Sequence, residues 1–371
     1  MNFLIKPASG MCNLRCKYCF YDDIGDNRSV KNMGMMQPET ARLLIAEGYR
    51  LAGKNGAVRF TFQGGEPTLA GLPFFEGFVR EARNARPEGV KVSYAIQTNG
   101  TLLDEGWAAF FKENHFLVGL SLDGCKEVHN LWRKDVSGED TWSRVCNALR
   151  LLNRHGVDVN ILCVVTAQMA RHAAKVYGTL KKLNVGYMQF IPCMDPIGQC
   201  RGGEKYSLTP QSYGEFLCSL FDLWYRDWKK GQYHSIRLFD EYVNLMLGDA
   251  AVTCSTCGNC GAYLVVEGDG SVYPCDFFVL DQWKLGKLGE TPLDEMAGGD
   301  TALEFLRWGK EKPLHCKNCR WRSLCNGGCK NDWVTANDSC TNHFCSSFQA
   351  FFAHAEQHLT EIARAEYMAR R

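Results

Sequence analysis

Nineteen cysteines fall in a chain of 371 residues, and their spacing constrains the fold more than any other feature. The chain opens Met-Asn-Phe-Leu-Ile-Lys-Pro, too short an apolar start for an export signal, so a cytoplasmic protein is expected. In a reducing compartment so many thiols do not build a disulfide framework; they read as metal ligands or redox groups. Cys12, Cys16 and Cys19 form C-x3-C-x2-C. Far downstream, Cys254, Cys260 and Cys275 are followed by Cys316-x2-Cys319-x5-Cys325-x3-Cys329 and then Cys345. Both ends of the chain are expected to close around soft metal centres.

Between these clusters short β-branched and aromatic runs alternate with segments of helical period. Six strands are predicted: Phe3 to Lys6, Val58 to Gln63, Lys91 to Gln97, Phe116 to Leu122, Val157 to Val165 and Gly186 to Ile191. Helical mixtures lie between them, as in Gln37 to Ala52 and Trp142 to Arg154. The repeated unit implies a parallel sheet, open or curled into a full or partial barrel. Cysteine-rich or glycine-rich loops follow the first four strands, on the face where α/β folds carry their reactive sites. Helix is expected over Pro210 to Leu247, a hairpin over Ala262 to Phe277 and a closing helix from Phe348 to Arg371. The corresponding divisions are 1–235, 236–347 and 348–371. Forty-two basic against 41 acidic residues leave no global field for nucleic acid or an anionic membrane. No apolar run has the length of a membrane span.

Three thiolates in one loop hold an iron-sulfur cluster with one iron left open, whereas a closed zinc site needs a fourth ligand. This loop, with Tyr18 before its last cysteine, and the run Gln63-Gly64-Gly65-Glu66-Pro67 together resemble the radical S-adenosylmethionine (SAM) superfamily. The resemblance implies an α/β fold, a partial (β/α)6 TIM-like barrel with a cysteine-rich iron-sulfur domain behind it. It implies a 4Fe-4S cluster on Cys12, Cys16 and Cys19 that chelates SAM. Gln63, Gly64, Gly65, Glu66, Ser121 and Arg133 are then SAM-binding candidates: glycine backbone and Glu66 or exposed carbonyls for the ammonium, Arg133 for the carboxylate. Gln97 and Asn99 point toward the same face.

The downstream cysteines resemble the SPASM extension of radical SAM peptide-modifying enzymes. By that resemblance Cys254, Cys260, Cys275 and Cys329 hold one auxiliary 4Fe-4S cluster, and Cys316, Cys319, Cys325 and Cys345 a second, three clusters in all. Cys257 or Cys340 can replace a neighbour as ligand, and the spacing alone also permits two structural zinc sites. Fully ligated auxiliary clusters suit electron transfer, hence an oxidation. Asp276, next to Cys275, is placed to take a proton from a thiol or hydroxyl.

From end to end, through LIKPASGMCNLRCKYCFY, FQGGEPTLAG, QTNGTLLDE and DGSVYPCDFFVLD, the chain looks like an anaerobic sulfatase-maturating enzyme. The family implies oxidation of a cysteine or serine in an unfolded sulfatase polypeptide to Cα-formylglycine, with Asp276 as base. It also implies Tyr21 and Gln97 in the substrate cavity and a flavodoxin or ferredoxin-type electron donor. Pro192 and Met194, near the sixth strand end, are expected to depart from the family's cavity wall, which leaves the peptide preference open. The rival readings are a SPASM enzyme that crosslinks a ribosomal peptide and a non-catalytic zinc scaffold.

Overall fold

The computed structural model describes residues 1–336 and 339–371. In chain order its main strands are β1 (Asn2–Ile5), β2 (Ala57–Phe62), β3 (Lys91–Thr98), β4 (Phe116–Ser121), β5 (Asp158–Val165), β6 (Tyr187–Pro192), β7 (Ser235–Ile236), β8 (Leu264–Val266), β9 (Ser271–Tyr273) and β10 (Gly286–Lys287). The first six match the expected runs, with no end displaced by more than one residue.

The first compact unit comprises Met1–Leu122, His129–Asn160 and Gly261–Leu306. Its strands lie in the order β10-β9-β8-β1-β2-β3-β4. β1 to β4 are parallel, so their carboxyl ends share one edge, and β8 adds to β1 in parallel. The expected hairpin is present as β8 and β9, antiparallel through Val266↔Val272. This pairing draws residues 261–306 onto the amino-terminal strands and makes the unit discontinuous in sequence.

β2 shows how the sequence builds the core. Val58, Phe60 and Phe62, alternate residues of one pleat, are all buried. Phe60 meets Phe78 at 5.1 Å and Phe62 meets Phe75 at 4.9 Å, both edge-on, from the helix Leu72–Asn84. Such pairs add about 1 kcal/mol each beyond area burial. Asp104 starts the next helix, Glu105–Glu113, by accepting the Trp107 N–H at 3.0 Å. That cap turns Trp107 and Phe111 into the same core.

The second unit comprises Asp123–Val128, Ile161–Cys260 and Arg307–Arg371. It holds β5 from Ile161 onward, β6, β7 and the helices Pro210–Lys229, Arg237–Met246 and Cys345–Ala369. Helix over Pro210 to Leu247 is interrupted: Gly231, at φ +71°, turns the chain out and β7 follows. The first helix opens on a Thr209–Ser212 capping box with Pro210 behind it. Its aromatics are core: Phe221 packs on Phe239 at 5.2 Å and on Phe351 at 5.6 Å. The closing helix begins at Cys345, earlier than expected, because Asn342 Oδ1 accepts the Phe344 N–H at 2.8 Å and turns the chain into it. No helix among the described residues is long and apolar enough to cross a membrane.

Candidate functional site

The cysteine loop leaves β1 and is fastened by backbone before any side chain acts. Gly65 N–H donates to Ser9 O at 2.8 Å and Glu66 N–H to Met11 O at 2.7 Å. The approach is so close that a Cβ on Gly65 would lie 2.0 Å from Met11 O. From the other side Arg15 N–H reaches Lys134 O at 2.7 Å and Lys17 N–H reaches Trp132 O at 3.2 Å. Asn13 is held at both ends, donating to Thr101 Oγ1 and accepting from Asn99 Nδ2, each at 2.9 Å.

Glu66 is 1% exposed and both its oxygens are taken. Oε1 accepts from Thr68 N at 3.1 Å, Thr68 Oγ1 at 2.6 Å and Thr98 Oγ1 at 2.7 Å, while Oε2 accepts from Asn99 N at 2.7 Å. Burial pushes its carboxyl pKa up and these donors pull it back in part. The carboxylate therefore ties the loop after β2 to the loop after β3.

Cys12, Cys16 and Cys19 are half-buried. Leu14 N–H donates to Cys12 Sγ at 3.3 Å, and the Tyr21 and Asp22 amides serve Cys19. Burial pushes the Cys12 thiol up to about 11 and raises that of Cys19, with Arg133 pulling the latter down. Arg133 is buried, its guanidinium 5.4 Å from the Tyr18 ring centre. Three thiols in one loop, of which Cys12 and Cys19 already receive N–H donors and are raised by burial, fit a cluster with three protein ligands. Among the described residues no three His, Cys, Asp or Glu side chains close on a single ion. A four-iron cluster spreads its thiolates over several irons and does not require that.

Asp276 follows Cys275 directly and lies in the short turn Asp276–Phe278, 4% exposed. Its Oδ1 is ion-paired with Lys6 Nζ, and its Oδ2 accepts from Gln63 Nε2 at 2.9 Å. Lys6 Nζ lies 3.8 Å from the Tyr21 ring centre. The Tyr21 hydroxyl donates to Glu267 Oε1, which also accepts from Arg28 Nη1 at 2.8 Å. Tyr21 is 2% exposed, so it stands behind Lys6 with its hydroxyl already bonded. Sequence reasoning singled out Tyr21, Gln63 and Asp276 but gave no role to Lys6, Arg28 and Glu267, which meet only in the fold. On the neighbouring strands Gln97 Nε2 donates to Ser121 Oγ at 2.9 Å. Gly119 leaves the room, since a Cβ there would lie 2.1 Å from Gln97 Oε1.

In the second unit Cys316, Cys319, Cys325 and Cys345 line one pocket, walled by Trp321, Phe348 and Phe352. Burial pushes the Cys325 thiol up to about 12, and Cys345, Cys316 and Cys319 add to the rise. Cys340 pairs with Thr335 in the hairpin Trp333–Ala336 and Ser339–Asn342 and is not among the lining residues. Cys254 and Cys257 bound a single-turn helix, and Cys254 senses both Cys260 and Cys257. The Cys257 thiol is turned to backbone carbonyls, those of Cys254 and Asn259, each at 3.5 Å. Cys329 belongs to this unit and Cys275 to the first. Met194 accepts from Asn331 Nδ2 at 3.0 Å, and Pro192 pairs with Val165 at the end of β6.

Residues 7–170 match the radical SAM superfamily and residues 254–320 an iron-sulfur cluster-binding domain. A cysteine-type anaerobic sulfatase-maturating enzyme of Clostridium perfringens is 45% identical over 98% of both chains. A serine-type anaerobic sulfatase-maturating enzyme of Klebsiella aerogenes is 33% identical over 95% of this chain and 84% of its own. Among solved structures, native anSMEcpe with bound AdoMet and Cp18Cys peptide superposes with a TM-score of 0.92 at 43% identity, covering 98% of this chain and 99% of that one. With both domain signatures and a relative matched over nearly its full length, the chain belongs to the anaerobic sulfatase-maturating enzymes of the radical SAM superfamily.

Proposed function

We propose that this protein oxidises a cysteine in an unfolded sulfatase polypeptide to Cα-formylglycine. The observation that carries the reading is the Asp276 carboxylate, next to Cys275 and aimed by Lys6 and Gln63. Higher identity to the cysteine-type than to the serine-type relative favours a thiol substrate.

Cys12, Cys16 and Cys19 would hold the first 4Fe-4S cluster. Cys254, Cys260, Cys275 and Cys329 would hold one auxiliary cluster, and Cys316, Cys319, Cys325 and Cys345 the other. When bound, these clusters supply the electron that cleaves SAM to methionine and a 5'-deoxyadenosyl radical, and accept the electron given up by the substrate. In our assignment the backbone of Gly64 and Gly65 receives the SAM ammonium, Arg133 its carboxylate, and Ser121, with Gln63, borders the adenosyl group. Glu66 fixes this cradle from behind. Gln97 faces the substrate, and Tyr21 supports Lys6 at the wall.

The substrate loses one hydrogen atom from Cβ to the adenosyl carbon, forming deoxyadenosine. Asp276 removes the thiol proton as one further electron leaves, and a carbon-sulfur double bond forms. Water then replaces sulfur, releasing hydrogen sulfide and leaving the aldehyde. The sum is a two-electron oxidation. The remaining assignments are a barrel over 1–235, a SPASM domain over 236–347, a closing helix, a cytoplasmic setting and a flavodoxin or ferredoxin-type donor.

The test is anaerobic incubation of reconstituted protein with SAM, reductant and a peptide containing Cys-x-Pro-x-Arg, following deoxyadenosine and peptide mass together. Formylglycine in step with deoxyadenosine supports the reading. Deoxyadenosine with a crosslinked peptide and no aldehyde overturns it.

A further inference from the structure

We infer that Lys6 is the positioning residue of the Asp276 carboxylate: it sets which way the base faces without touching the substrate. The inference rests on the reading of Asp276 given above.

Lys6 ends the stretch that leaves β1, and its side chain is 0% exposed. Burying an ammonium costs several kcal/mol unless a partner meets it, so a lysine here is unlike one at a surface turn. Three contacts fix it. Its N–H donates to Val266 O at 2.8 Å, which ties the residue to the hairpin whose far end carries Asp276. Its stem lies against Gly64, where a Cβ would approach Lys6 Cβ to 3.2 Å. Its Nζ rests 3.8 Å from the centre of the Tyr21 ring, an electron-rich face that favours a cation.

Tyr21 is itself held from behind. Its hydroxyl goes to Glu267, and Arg28, fully buried like Glu267, pairs with that carboxylate. The result is a buried chain of alternating charge, Arg28, Glu267, Lys6 and Asp276, with the Tyr21 ring in its middle. Asp276 ends it with one oxygen on Lys6 and the other on Gln63. Two donors on two different oxygens fix the plane of a carboxylate, where a single donor leaves it free to rotate. Gln63 alone is that single donor once Lys6 is removed.

The decisive measurement is the yield of formylglycine per deoxyadenosine in Lys6→Met, Lys6→Arg and Asp276→Asn, each with iron content and peptide KM determined. Lys6→Met is expected to lower the yield about tenfold through kcat, the scale of one lost charged hydrogen bond. Lys6→Arg, which keeps the charge and donors, is expected to recover most of it. A normal yield in Lys6→Met beside a collapsed yield in Asp276→Asn overturns the role of Lys6 alone. A normal yield in Asp276→Asn overturns the reading beneath it. Should Lys6→Met not fold, the double variant Lys6→Met/Asp276→Asn, which removes the unpaired carboxylate, is expected to regain solubility and a higher thermal midpoint. A double variant no more soluble than Lys6→Met, or Lys6→Arg with full iron and none of the yield restored, overturns the pairing.

Discussion

Gly65 and Met11 approach so closely that the glycine hydrogen occupies the only space between the Gly65 Cα and the Met11 carbonyl; a methyl there would lie 2.0 Å from the oxygen. The same pair of segments is joined by the Glu66 N–H to that carbonyl. Gly65→Ala must therefore push the cysteine loop off its support. Anaerobically reconstituted Gly65→Ala is expected to lose about four irons per chain, those of the amino-terminal cluster. Iron equal to wild type would show that the loop yields without releasing its thiols.

Glu66 accepts four hydrogen bonds in a site closed to water. Glu66→Gln places an amide N–H₂ where donors already converge, and in either orientation at least one backbone N–H, that of Asn99 or of Thr68, is left facing a donor. A loss of about 3 kcal/mol in urea unfolding is expected. A shift within about 0.5 kcal/mol, ordinary for a surface change, would mean that the loops are held without it.

Cys325 lines the second unit's pocket and Cys340 does not. Iron and sulfide analysis should separate them: Cys325→Ala loses about four irons, and Cys340→Ala none. Equal losses would bring Cys340 into the ligand set.

Burial pushes the carboxyl of Asp227 up, yet hydrogen bonds from Lys181 and Tyr177 outweigh it, and its pKa lies below the ordinary value. A carboxylate lowered on folding stabilises the protein above its unfolded pKa of about 4, and that contribution is lost as pH falls through the lowered folded value. Asp227→Asn is expected to cost about 3 kcal/mol at pH 7, leaving Lys181 unmatched, with the difference from wild type shrinking below about pH 4. A difference constant down to pH 3 would assign the cost to packing.

The strands, the hairpin and the cluster-bearing loops were legible because each is local: period two in Val58, Phe60 and Phe62, a Gly-Asp-Gly turn, three cysteines in one loop. The break between the helices Pro210–Lys229 and Arg237–Met246 was less so, since polar residues around Gly231 continue a helical mixture acceptably. What no local pattern carries is the set of partners. Lys6 and Asp276 are 270 residues apart, and nothing near either residue marks it for the other. Glu66 was visible as a motif residue, but that its oxygens serve Thr68, Thr98 and Asn99 depends on two strand ends arriving side by side.

The pairing of β1 with β8, Phe3 against Leu264, has a consequence for synthesis. Until the ribosome has released more than 260 residues, one edge of the first strand has no neighbour and Lys6 has no counter-ion. An unfinished edge of this kind is open to pairing with other chains, and contacts so distant in sequence form slowly. The hairpin thus closes a strand edge and a charge pair whose first partners are among the earliest residues made, although the cysteine loop's own backbone supports at Gly65, Glu66, Trp132 and Lys134 come far sooner.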